Sequence, residues 1–114
     1  MAAVYVNNLV VNTGSTFQQT FNLESTDNNS ALDLNGYTVA SQMRKWAGAS
    51  TATDFSASIP EPSSGKIVIE LAAATTTSLK AGRYVYDILI TKAGVTERVV
   101  EGNVLVREGV TRIQ

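Results

Sequence analysis

The stretch RYVYDILITKAGVTERVVEGNVLVRE, residues 83–108, carries the fold reading. Tyr84, Tyr86, Ile88 and Ile90 alternate with Val85, Asp87 and Leu89, and a strand sends successive side chains to opposite faces. Lys92-Ala93-Gly94 reads as a hairpin tip, so the residues from Thr96 onward return as a last long strand. Gly102 inside that strand predicts a bulge or a close approach of backbone.

Working outward, the same period of two recurs. KIVIEL (66–71) sets Ile67, Ile69 and Leu71 against Val68 and Glu70. TFQQTFNLE (16–24) sets Phe17, Phe21 and Leu23 against Gln18, Thr20, Asn22 and Glu24. The segment from Val4 to Val11 is apolar on both faces, with Tyr5, Leu9 and Val11 on one and Val4, Val6 and Val10 on the other. Asn35-Gly36 predicts a turn into a strand over residues 37–45 with Val39 and Met43 inward and Trp46 capping its end. DFSASI (54–59) is a shorter strand that Pro60 and Pro62 close, each lacking an amide donor. Residues 73–79 admit a helical turn before Gly82. About seven strands with turn signals between them make an all-β fold, an antiparallel β-sandwich, as one domain over residues 1–114. Its core is expected from Phe17, Phe21, Leu23, Ile67, Ile69, Leu71, Tyr84, Tyr86, Ile88 and Ile90.

Composition excludes several chemistries. The sequence has no cysteine and no histidine. Thiolate or imidazole metal sites and Cys–His or Ser–His nucleophiles are therefore absent, and no cofactor is expected. Nine basic and ten acidic residues leave a net charge of −1, which is no footprint for nucleic acid. The N-terminal MAAVYVNNLVV lacks a basic start and a long apolar run, so no signal peptide or membrane contact is expected.

Three clusters can be read two ways. Asp87 is either a site carboxylate or a residue of a solvated face beside Arg83 or Arg98. Trp46 with Arg44 and Lys45 is either a platform for a sugar or an acidic partner, or a strand end whose indole covers the rim of the sandwich. Glu24, Asp27, Asn29 and Asp33 are oxygen donors suited to calcium, or a solvated loop; their spacing is not that of an EF-hand. No positioned acid–base cluster is in view, so no enzyme is expected.

Four segments in order carry a resemblance: GSTFQQTFNLE, LDLNGYTVASQMRK, SGKIVIELAAATTTSLKAGRYVYDILIT and RVVEGNVLVREGVTR. Within them stand Gly14, Phe17 and Phe21; Asp33, Leu34, Gly36, Tyr37 and Thr38; Gly82, Tyr84, Tyr86, Asp87 and Ile88; and Val99, Glu101, Gly102, Val104 and Val106. Together they resemble small virion proteins of tailed phages, cyanophages particularly, and the N-terminal domain of phage baseplate upper proteins. The resemblance implies an immunoglobulin-like sandwich acting as a building block of the virion, made in the host cytoplasm. Its implied partners are other virion proteins and copies of itself. Baseplate upper proteins continue into further domains that this sequence does not carry, so an accessory of head, neck or tail is equally expected. The alternative is a small module binding carbohydrate or a host surface. Sheet edges and exposed apolar ends are the surfaces a sandwich offers. Val4, Tyr5, Val6 and Val10 of the first strand, Trp46, and Val110 and Ile113 of the last turn are the expected partner contacts.

Overall fold

A computed structural model describes residues 5–24 and 31–110. The long hairpin forms as its pattern requires. β8 (Gly82–Lys92) pairs antiparallel with β9 (Val95–Arg107) from Gly82↔Val106 to Lys92↔Val95. Its two-residue loop has positive φ at both Ala93 (52°) and Gly94 (82°), the turn whose twist matches the strands it joins.

On the far side of β8 lie β4 (Thr38–Arg44) and the short β5 (Thr53–Asp54), both antiparallel to their neighbours. The second sheet is antiparallel with order β3 (Phe17–Asn22), β7 (Lys66–Leu71), β6 (Ser56–Glu61). A helical turn, α1 (Ala73–Thr77), joins β7 to β8 where a short helix was expected. The Tyr37 amide donates to the Leu34 carbonyl at 3.0 Å, closing the turn at Asn35-Gly36.

The sandwich expected from the alternation is present, with two differences in its strands. The first strand is two pieces, β1 (Tyr5–Val6) and β2 (Leu9–Asn12), and both pair parallel with β9. The larger sheet is therefore mixed rather than antiparallel. No local pattern announces this, because the paired segments stand at opposite ends of the chain and packing alone joins them. A second difference is in β6, which continues through Pro60 to Glu61 instead of stopping before the proline. The register shifts between Ser58 and Glu61, and an edge strand with an irregularity tolerates a missing amide.

Gly102 turns out to be a close approach. A Cβ there would stand 2.2 Å from the Asn7 carbonyl oxygen, so the break between β1 and β2 sits against it. The Asn7 amide donates to the Glu101 carbonyl at 3.0 Å, and the Tyr86 hydroxyl donates to the Asn7 carbonyl at 2.6 Å.

The core fills the space between the sheets. Phe17, Phe21, Leu23, Ile67, Ile69, Leu71, Tyr86, Ile88 and Ile90 are all buried, as is Met43. Tyr84, expected with them, is half-buried at the mouth of the sandwich. Its hydroxyl donates to the Lys80 carbonyl at 2.8 Å, the kind of bond made by a tyrosine corner. Phe55 marks where the chain changes sheets, its ring 5.9 Å from Phe17 and 6.1 Å from Tyr86. At one point the pairing of β8 with β9 skips a residue, from Ile88↔Val100 to Leu89↔Arg98. This bulge buries two consecutive residues, Val99 and Val100, and swings Arg98 to the outside.

Candidate interaction face

The registers assemble the outer face of the larger sheet row by row. Val6, Glu101, Asp87, Gln42 and Asp54 lie side by side across five strands. A shallow groove of about 550 Å³ runs over this face, lined by Val6, Gln42, Arg44, Val85, Leu89 and Arg98 among others. At its centre Arg98 reaches Asp87 (3.3 Å) and Glu101 (3.5 Å). Asp87 is thus a residue of a solvated face paired with Arg98, one of the two readings open in the sequence. Half-exposed pairs of this kind contribute at most about 1 kcal/mol. Gln42 donates to Asp54 at 2.6 Å and accepts from Arg44 at 3.0 Å, extending the polar row to the sheet's other margin.

Beside this polar centre the first strand leaves an apolar stripe. Val6 is 73% exposed and Val10 49%, and Leu105, paired with Val10, is 41% exposed. Val6 and Val10 were expected as contacts. Leu105 was missed, although it shares the outward parity of Asn103 once the phase of β9 is known. Tyr5 is not part of the stripe. Its side chain packs against the core, and its hydroxyl accepts a hydrogen bond from the Glu24 amide at 3.1 Å. This bond ties the first strand to the residue that follows Leu23 beyond β3.

Trp46 stands apart, at the end of the sandwich. The indole is 63% exposed and does not seal the rim as capping would require. The loop's anchor is Arg44 instead, whose guanidinium donates to the Ala49 carbonyl. Lys45 lies over the Tyr84 ring, 4.8 Å from its centre. With Lys80, Ser78 and Thr51 these residues line a second concavity of about 420 Å³. Val110 is 99% exposed. Val4 and Ile113, with Asp27 and Asn29 of the oxygen-rich loop, lie outside the described residues. Asp33 of that loop accepts from the amide and carboxamide of Asn35 (3.0 and 2.7 Å), and these bonds hold its carboxyl below the usual range. Burial pushes the Tyr86 hydroxyl above its ordinary value. Among the described residues no three acidic side chains gather into a metal-binding group, and no helix is long and apolar enough to cross a membrane.

Neither a protein-family model nor a curated protein sequence matches the chain. Among solved structures it is similar to the N-terminal domain of ORF48 of phage TP901-1, with a TM-score of 0.55 and 9% identity over 89% of this chain and 85% of that one. It is also similar to InlP of Listeria monocytogenes, with a TM-score of 0.50 and 13% identity over 89% of this chain. The matched part is 26% of the InlP chain, so this sequence spans about a quarter of that protein. What is shared at these identities is the β-sandwich fold, common to a domain of a phage protein and a segment of a bacterial one.

Proposed function

We propose that this chain is a non-catalytic structural protein of a tailed-phage particle, an accessory of head, neck, tail or baseplate that works through protein–protein contacts. The observation that carries the reading is the fold match to nearly all of a phage protein's N-terminal domain, found for a sequence whose ordered motifs resemble virion proteins. An immunoglobulin-like assignment goes with it, supported by the order β3-β7-β6 opposite β9-β8-β4-β5 and by the Tyr84–Lys80 bond. Val6, Val10 and Leu105 form the contact with another virion protein, since exposed apolar side chains along one sheet margin are covered at lower free energy by a neighbour than by water.

The test is incorporation. Particles are assembled with wild-type chain, Val6→Asp or Val10→Asp and purified, and their proteins are quantified by mass spectrometry. The wild type is expected at fixed stoichiometry, with both variants soluble but depleted at least about tenfold, a 1.4 kcal/mol effect. Wild-type chain missing from particles overturns the virion reading; undiminished variants overturn the assigned contact.

One observation favours a second reading, a module for carbohydrate or a host surface. The exposed Trp46 shares its concavity with Lys45, Lys80 and Tyr84, an indole for stacking beside cations. Glycan binding that Trp46→Ala abolishes would establish it.

A further inference from the structure

The sheet margins of this molecule are not equally defended. β6 carries Pro60 and a register shift, β5 is two residues long, and the first strand is broken at Asn7-Asn8. Each is a recognised way of blunting an edge. β3 has none of them. It pairs with β7 without a break from Phe17↔Leu71 to Asn22↔Lys66, and FQQTFN contains no charge, proline or glycine.

Which backbone groups face outward follows from the ladder. The Leu23 amide donates to the Gly65 carbonyl at 2.9 Å in the same register, so odd-numbered residues direct their polar groups to β7. Gln18, Thr20 and Asn22 therefore direct theirs away from it. Two contacts agree with this parity. The Glu24 amide turns outward to the Tyr5 hydroxyl, and the Thr20 carbonyl is met at 3.3 Å by the carboxamide of its own neighbour, Gln19. Among the described residues no strand pairs with this side of β3.

We infer that the free edge of β3 is a strand-pairing surface and that its occupant is β3 of a second copy, antiparallel across a two-fold axis. Hydrogen-bonded pairs must then join even-numbered residues. Of the registers this allows, two pair the most of β3, with the axis beside Gln19 (Gln18↔Thr20) or beside Thr20 (Gln18↔Asn22). Both keep Phe17 and Phe21 on the core side of a continuous sheet. A two-fold axis sets like against like, which a charged edge would resist; this edge is uncharged, and a net charge of −1 adds little long-range repulsion. One six-residue ladder is a small interface, so the dimer is weak. The inference stands on edge chemistry and not on the virion reading.

Sedimentation velocity of the whole chain from about 10 µM to about 1 mM tests it, a range suited to weak pairs. Wild type is expected to pass from monomer to dimer. Thr20→Pro should stay monomeric while melting as a folded protein, because the amide it removes faces the free edge and not β7. Gln18→Lys, which puts a charge on the same edge, is the second variant if the proline disturbs the strand. Since the chain has no cysteine, Gln19→Cys and Thr20→Cys each place one thiol beside one of the two axes. Mild oxidation should cross-link one of them, and should leave Asn12→Cys on the first strand uncross-linked. A wild type that remains monomeric at the highest concentration overturns the inference, as does a dimer unaffected by Thr20→Pro and Gln18→Lys. Neither result bears on whether particles contain the protein.

Discussion

Replacing Gly102 by alanine separates a steric demand from a conformational one. The backbone there is one that any residue adopts, yet the added Cβ would meet the Asn7 carbonyl oxygen at 2.2 Å and its carbon at 2.9 Å. Both are backbone atoms, so the first strand has to withdraw. Withdrawal strains three hydrogen bonds: Asn7 amide to Glu101 carbonyl (3.0 Å), Tyr86 hydroxyl to Asn7 carbonyl (2.6 Å), and Asn103 amide to the Asn8 carboxamide oxygen (3.0 Å). At about 0.5–1.5 kcal/mol each, their loss destabilises the fold by about 1.5–4.5 kcal/mol. For a chain of this length that lowers the melting temperature by roughly 6–20 °C. Guanidinium unfolding and a thermal melt measure it, with Gly14→Ala as the control. Gly14 has φ 82° and open space around it, so alanine there meets only a backbone penalty of about 1–2 kcal/mol. Hydrogen exchange adds a local readout, since the Asn7 and Asn103 amides should lose protection in Gly102→Ala and keep it in Gly14→Ala. A Gly102→Ala protein melting within about 2 °C of wild type, with both amides still protected, refutes the close-approach argument.

Four further outcomes are expected. Ile88→Ala, at a fully buried site, should lower unfolding free energy by about 2–5 kcal/mol through lost burial and a cavity, read from denaturant midpoints. Arg44→Ala should lower it by about 1–2 kcal/mol, because the Ala49 carbonyl and Gln42 lose their donor; no measurable change would show that the loop holds itself. Ala93→Asn should raise stability by about 0.5–1 kcal/mol, asparagine tolerating the positive φ that strains alanine in this turn. Tyr86→Phe should be less stable than wild type at pH 7 through loss of the bond to Asn7. Because burial raises the Tyr86 hydroxyl in the folded state, its contribution is whole below the unfolded value of about 10 and shrinks as pH climbs above it. The gap between the two proteins should therefore narrow above about pH 10, and a constant gap would contradict the burial argument.

The alternation of Tyr84, Tyr86, Ile88 and Ile90, the turn at Asn35-Gly36 and the hairpin tip were all legible in the sequence. So was the β-sandwich they imply, because side-chain period and turn chemistry are properties of neighbouring residues. Gly102 could be read as a bulge or a close approach, and the tertiary structure selected the approach, since the strand that crowds it comes from the other end of the chain. The bulge at Val99-Val100 was hidden for a similar reason. Unbroken alternation would have pointed Arg98 inward, and the skipped residue turns it outward to Asp87, settling between Arg83 and Arg98 as that carboxylate's neighbour. Val6 and Val10 were readable as sharing one face of a strand apolar on both sides, and their exposure, with Leu105 beside Val10, became apparent only once the parallel pairing was known. Tyr5 and Arg44 show what no pattern carries, a hydroxyl meeting the Glu24 amide and a guanidinium meeting the Ala49 carbonyl. Sequence determined most of the segments that become strands and, where one face is polar as in residues 16–24 and 66–71, which side is apolar. Tertiary structure alone decided which strands meet, in which direction, and which edge is left with unpaired backbone, because those depend on contacts between residues far apart in the chain.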